Sequence, residues 1–252
     1  MSPQLPEPVR STMRALTAEL VSVLGDRLVG VYLGGSAATG DFCESSSDLD
    51  FLVVTDGPLT MEDLLALKLI HQDLLKKYPY AARLEGDYAP WESLTPEGTT
   101  APVPGCEVGV FLPRVGEIVL SADNMYDMRE NGIAFYGPAP REVLPEVSPD
   151  HVRAAVRAQL AQGPGPSETP KEMAAELLNL IRRVWVLETG IPVSKSKAAA
   201  WAMSHLNPEW WPPIQAALAI RCGKGTAADE ALLRKALPKL EQELRSLCIC
   251  AS

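Results

Sequence analysis

Two short motifs carry the chemistry of this chain: Gly34-Gly35-Ser36 and, twelve residues after the serine, Asp48-Leu49-Asp50. The first ends an apolar, β-branched segment, residues 28–33; the second opens another, residues 49–54. Each segment reads as a short buried strand. Side chains two apart on a strand share a face, so Asp48 and Asp50 point the same way. Glycine lets backbone N–H groups approach an anion closely, and the Ser36 hydroxyl adds a donor. Two carboxylates on one face suit a hard divalent cation, and Mg²⁺ is typically held by one or two carboxylates plus substrate phosphates. A lone Asp-x-Asp could equally be a turn residue and a solvated acid. The chemical reading gains weight from the Gly-Gly-Ser turn, because two adjacent strands would bring turn and acids together. The layout predicts a nucleoside triphosphate, a metal and phosphoryl-type transfer.

A third acid, Glu85, sits on the next predicted strand, residues 82–88. It could complete the metal site or act as general base on an acceptor hydroxyl. Asp87 competes for that role, since it shares the face of Glu85. Arg182, Arg183 and Lys195 fall on predicted helices later in the chain. Basic residues on helices are usually solvated; the alternative for these is contact with a triphosphate. His71, His151 and His205 are scattered without metal-ligand spacing. Trp185, Trp201, Trp210 and Trp211 read as core of the helical part, and Trp91 as a loop anchor.

The elements that must position these groups follow from periodicity. Apolar residues at helical spacing predict a helix over 8–25, ahead of the two strands. Thr60 can cap a helix to about Lys77 whose apolar face is Met61, Leu64, Leu65, Leu67, Leu69 and Ile70. Residues 89–117 are rich in Pro, Gly and Thr and predict a long loop with one strand at 108–112. A helix at 124–129 and a strand at 133–136 follow. Helices are predicted at 149–161, 171–189, 194–206, 208–222 and 226–249. The Gly/Pro-rich stretch at 163–170 is the strongest linker signal, with a boundary nearer Pro145 as the alternative. A mixed α/β domain therefore precedes a helical one, divided as 1–147 and 148–252.

The 252 residues suffice for a sizeable core. No apolar run reaches a membrane span and the N-terminus lacks a signal-peptide pattern. The five cysteines lack zinc-type spacing, so reduced thiols in a cytoplasmic protein are expected. Net charge is −9, which disfavours nucleic acid. It is unevenly spread: residues 1–145 hold ten Lys and Arg against 21 Asp and Glu, and the remainder 13 against 11. An acidic first half suits metal ions and a cationic substrate, and a mildly basic second half suits triphosphate; ordinary surface charge is the competing reading.

The run Gly35-Ser36-Ala-Ala-Thr-Gly40-Asp-Phe, with Ser47-Asp48-Leu-Asp50, resembles the signature of the DNA-polymerase-β-type nucleotidyltransferases. Further stretches resemble the streptomycin/spectinomycin 3″(9) adenylyltransferases: Arg83 to Pro90, Met128 to Pro138, Leu180 to Trp185, and Thr189-Gly190-Ile-Pro-Val-Ser-Lys195 through Trp201-Ala. The resemblance implies an α+β fold, with an N-terminal mixed-sheet nucleotidyltransferase domain followed by an all-α helical domain. It implies that Gly35, Ser36 and Ser47 hold the triphosphate and that Asp48 and Asp50 ligate Mg²⁺. Glu85 would be third ligand or base, and Arg183 and Lys195 would clamp the nucleotide. Two Mg²⁺ ions, ATP as co-substrate and a cationic antibiotic are the implied partners, with the drug in an acidic interdomain cleft and the protein a monomer. The acceptor region departs from the family. Streptomycin-modifying members carry Trp-x-x-x-x-Asp where this chain has Pro164 to Thr169, with Glu168 its one acid and Glu172 and Glu176 nearby. Lys195 is followed by Ser196 where many members have Asp. The resemblance thus implies AMP transfer to an aminocyclitol or aminoglycoside hydroxyl, spectinomycin rather than streptomycin, with Asp87, Glu168, Glu172 and Glu176 as candidate drug contacts. The rival readings are a nucleotidyltransferase acting on protein or tRNA, and a non-catalytic nucleotide-binding regulator.

Overall fold

The computed structural model describes residues 4–99, 103–115, 120–163 and 167–250. Two compact units emerge: residues 1–42 with 47–147, and residues 43–46 with 148–252.

The first unit is a mixed six-stranded sheet with helices. In chain order come α1 (Glu7–Leu24), β1 (Leu28–Leu33), α2 (Gly35–Thr39), β2 (Leu49–Thr55), α3 (Met61–Lys77), β3 (Leu84–Pro90), β4 (Val103–Glu107), β5 (Val110–Val115), α4 (Ala122–Asn131), β6 (Ile133–Tyr136) and α5 (Pro140–Val143). The strand order is β5-β4-β3-β2-β1-β6. Among the described residues only β2 and β3 run parallel, and α3 supplies the crossover such a pair requires.

The helix α1 buries Val9, Met13, Leu16, Leu20 and Leu24, a stripe at three- and four-residue spacing. That stripe joins Val31, Leu33, Phe51, Val53, Leu67 and Ile70 in one core. At the start of α3, Thr60 and Asp63 form a capping box, and Asp63 also accepts two hydrogen bonds from Arg27, at 2.7 and 2.6 Å. The buried face of α3 differs from the expected one. Leu67, Ile70, His71 and Leu74 turn inward, while Met61, Leu65 and Leu69 are 72%, 60% and 65% exposed. His71 is tolerated inside because Tyr88 OH lies 2.6 Å from its Nε2 and Cys106 Sγ 3.4 Å from its Nδ1.

The expected long loop contains a hairpin instead of one strand. Glu107 pairs with Val110, so Val108-Gly109 forms a two-residue turn, with φ of 51° and 76°. Both central residues are left-handed, the pattern of a type I′ hairpin.

The second unit is helical: α6 (Pro149–Ala161), α7 (Pro170–Thr189), α8 (Lys195–His205), α9 (Trp211–Arg221) and α10 (Ala227–Cys250). Ser148, Thr169 and Ser194 cap the N-termini of α6, α7 and α8. Gly190 ends α7 at φ 72°. The Gly/Pro-rich stretch falls inside this unit, between α6 and α7, and its residues 164–166 lie outside the described ones. Among the described residues no helix is long and apolar enough to cross a membrane.

The cysteines depart from the expected set of free thiols. Cys43 and Cys222 are disulfide-bonded, with Cα atoms 5.2 Å apart, whereas Cys106 and Cys248 are buried outside this bond. The spacing of 179 residues hides this proximity from the sequence.

Candidate active site

Three strand ends build the site in the first unit. Because β1 runs antiparallel to β2, the end of β1 lies beside the start of β2, with Leu33 opposite Phe51. Because β2 and β3 are parallel, their starts coincide, and Asp50 registers with Glu85. The Gly34 N–H donates to the Asp50 carbonyl at 2.7 Å, which pins the Gly-Gly-Ser turn against the first residues of β2. Gly35 adopts φ +58°, and a Cβ placed on it would overlap the Asp50 carboxylate. Glycine is therefore needed twice at that position, for its backbone angle and for the space. The turn continues directly into α2, a refinement of the simple loop expected there.

Ser47 is buried, and its carbonyl accepts a hydrogen bond of 3.2 Å from Arg83 Nη1. Arg83 in turn lies over the Tyr80 ring, 4.6 Å from its centroid. Asp48 is exposed and Asp50 half-buried, with Leu49 in the core between them. Burial, then the charges of Asp48, Asp50 and Glu107, push the Glu85 carboxyl above its ordinary value. Burial and then Glu85 push Asp87 up to about 7. The acids thus meet as the strand argument expects, close enough to repel one another.

Their arrangement is open. Among the described residues no three His, Cys, Asp or Glu side chains already form a cage that could hold a metal ion. The expected three-carboxylate metal site is not assembled by the protein alone. The donor set still fits Mg²⁺, which needs only one or two carboxylates when phosphates supply further oxygens. A cation there would relieve the repulsion felt by Glu85.

The candidate residues of the second unit have partners of their own. Arg183, on α7, has Nη1 3.9 Å from Glu176 Oε1, and Arg245 Nη2 of α10 lies 3.3 Å from the same oxygen. Glu176 is buried in this arrangement and held by two arginines, so drug contact is not its structural role. Glu172 is likewise engaged: it completes the capping box with Thr169 and accepts from the Glu168 and Thr169 N–H groups at 3.1 and 2.9 Å. Those bonds lower its pKa, Thr169 contributing most. Glu168 is exposed. Lys195 is the first residue of α8, in a first turn without any acidic residue. A cation at a helix N-terminus opposes the helix dipole. Arg245 and Arg221, both part of buried polar contacts, escaped sequence reading because nothing local distinguishes them from surface arginines.

A nucleotidyltransferase domain matches residues 17–93, which span the turn and all the first-unit acids above. The C-terminal domain of aminoglycoside adenylyltransferases matches residues 142–244. The chain belongs to the aminoglycoside adenylyltransferase family. Among solved structures, the fold of this family member is similar to a spectinomycin adenyltransferase, AAD(9), from Enterococcus faecialis, solved with ATP and spectinomycin. That similarity has a TM-score of 0.68 at 18% identity, and covers 94% of this chain and 99% of the other. A search of curated protein sequences finds no match. The family member is a nucleotidyltransferase.

Proposed function

We propose that this enzyme transfers AMP from ATP to a hydroxyl of spectinomycin or a related aminocyclitol, and that this confers resistance to the drug. The observation that carries the reading is the meeting of Asp48, Asp50 and Glu85 beside the Gly35-Ser36 turn. The C-terminal domain match and the bound ligands of AAD(9) support the acceptor class. The acceptor oxygen attacks the α-phosphorus, the new P–O bond replaces that to pyrophosphate, and pyrophosphate leaves. The acceptor proton passes to the Glu85 carboxylate, which the parallel register places beside Asp50. Asp48 and Asp50, with Glu85 as a further ligand, would hold Mg²⁺. The ion supplies charge neutralisation at the phosphates when bound. Backbone N–H groups at Gly35 and Ser36, and Ser47 beside them, orient the triphosphate; Arg183 and Lys195 contribute phosphate-binding charge. Asp87 and Glu168 are the acids left for the cationic drug.

Streptomycin is the poorer acceptor in this reading. The family's Trp and Asp are replaced by a Gly/Pro-rich stretch that retains only Glu168. An aromatic contact and a charge-assisted hydrogen bond together are worth on the order of 2–4 kcal/mol. Their loss lowers streptomycin affinity roughly 30- to 1000-fold. Measuring kcat/KM for both drugs with the purified protein tests this, and efficient streptomycin adenylylation would overturn the assignment. Transfer to neither drug, with ATP consumed on a protein acceptor, would move the enzyme to the rival substrate class.

A further inference from the structure

The tetrapeptide Cys43–Ser46 follows α2 after three intervening residues and leads directly into Ser47 and Asp48, yet it clusters with the helical unit. Three contacts fix it there. Cys43 is bonded to Cys222, the residue that ends α9. The Ser46 hydroxyl donates to the Arg221 carbonyl. Gly223 packs against Ser45, where a Cβ on the glycine would come within 2.8 Å of Ser45 Cβ. The mooring point continues to α8: the buried Arg221 guanidinium donates to Ser196 Oγ at 3.4 Å, and Ser196 adjoins Lys195. One end of this network therefore precedes the acids proposed for Mg²⁺, and the other borders the lysine proposed for phosphate.

We propose that Cys43 and Cys222 are a reversible redox site that tunes nucleotide affinity. Its consequence for ATP rests on the function proposed above. Both residues are partly exposed and within reach of a small-molecule oxidant, unlike the buried Cys106 and Cys248. Their Cα separation of 5.2 Å suits a disulfide without movement of the backbone. In the forward direction the Cys43 thiolate attacks a low-molecular-weight disulfide such as oxidised glutathione. A mixed disulfide forms and one glutathione thiolate leaves. The Cys222 thiolate then attacks Cys43 Sγ, the protein disulfide forms, and the second glutathione leaves. Two protein thiols lose two electrons and two protons, and one glutathione disulfide is reduced. A dithiol reductant reverses the exchange. With the bond closed, the segment ahead of Ser47 and Asp48 is held in place, and less ordering remains for the nucleotide to impose. With it open, Ser46 and Gly223 still hold the segment, so the effect is graded rather than all-or-none.

The test uses the full-length protein treated with oxidised glutathione or with dithiothreitol. Alkylation of free thiols and peptide mapping read the bond itself, without any substrate. Cys43 and Cys222 peptides should be cross-linked after oxidation and alkylated after reduction. Calorimetry with MgATP and steady-state kinetics then read the consequence. Reduction should weaken MgATP binding and raise the KM for ATP by about tenfold, with kcat changed less than about twofold. Cys43→Ser and Cys222→Ser should match the reduced protein and ignore oxidant. Reduction of the wild-type chain needs no variant to fold. Failure of the two peptides to cross-link overturns the redox site. A cross-link with equal MgATP affinity in both states overturns its regulatory role. Absence of MgATP binding in either state overturns the nucleotide reading, and the regulation falls with it while the mapped bond stands.

Discussion

Gly35 offers the sharpest test of whether turn and acids form one site, because the chain provides a matched control. Gly35 has φ +58° and a Cβ there would overlap the Asp50 carboxylate. Gly57, just past the opposite end of β2, has φ +79° with nothing within 4 Å of the same position. Alanine at either glycine must adopt a left-handed angle, at a cost of about 1–2 kcal/mol. For chains of this size that lowers Tm by roughly 2–8 °C. Only at Gly35 must a functional side chain move as well. To reach ordinary van der Waals separation from the new methyl, the Asp50 carboxylate shifts on the order of 1 Å, and a misplacement of that size costs about 10²-fold in rate. Gly57→Ala is therefore expected to retain its kcat/KM, and Gly35→Ala to lose about 10²-fold at comparable stability. Pyrophosphate release with ATP, Mg²⁺ and spectinomycin reads the rate, and thermal unfolding reads the cost shared by both. Equal activity in the two variants would show that the contact between Gly35 and Asp50 has no bearing on catalysis.

Asp48→Asn and Asp50→Asn should each abolish transfer while leaving Tm within a few degrees; near-normal turnover in either removes it from the metal site. Glu85→Gln should lower turnover by at least roughly 10²-fold with MgATP binding preserved, and Asp87→Asn should be milder; the reverse order would make Asp87 the base. Lys195→Ala should raise the KM for ATP, and an unchanged KM argues against phosphate contact. His71 makes stability acid-sensitive: burial lowers its pKa from 6.5 to about 4, so between these values the unfolded chain binds the extra proton. The contribution is complete above about pH 6.5 and falls by about 3 kcal/mol as pH drops through 4. Urea titrations at pH 7 and 4.5 should show a smaller acid loss in His71→Gln than in the wild type, and equal losses would refute the assignment.

The parts of the fold legible in the sequence are those whose signal is local. The segments β1 and β2 are apolar runs bounded by glycine and acids, and α6 falls on residues 149–161 as predicted, behind Ser148 and Pro149. The facing of α3 was not legible. Apolar residues at 61, 64, 65, 67, 69 and 70 surround too much of the helix to define one stripe. Tertiary packing selects Leu67, Ile70 and Leu74, and buries His71 because Tyr88 and Cys106 satisfy its ring nitrogens. The hairpin was missed for a related reason. Val108, a β-branched residue, reads as strand, yet it occupies the left-handed first position of the turn at φ 51°. Propensity yields there to the register between β4 and β5.

The same division runs through the candidate site. Asp48 and Asp50 were readable because two residues on one strand share a face whatever the rest of the chain does. Glu85 joins them through the parallel register with Asp50, an outcome that needed only the crossover through α3. The acids of α7 obey no such local rule. Glu172 stands three residues after Thr169, the spacing of a capping box, so its structural use could have been read from the sequence. Glu176 could not, because its partner Arg245 is 69 residues away on α10. A buried glutamate between two arginines can serve the arginines as much as itself. Arg245 reaches one Glu176 oxygen at 3.3 Å and Arg183 stands 3.9 Å from the same oxygen, so the acid offsets cationic charge within the helical unit. An acid expected at the drug is therefore paired with arginine inside the helical unit, a partnership set by how α7 and α10 pack and not by any local pattern.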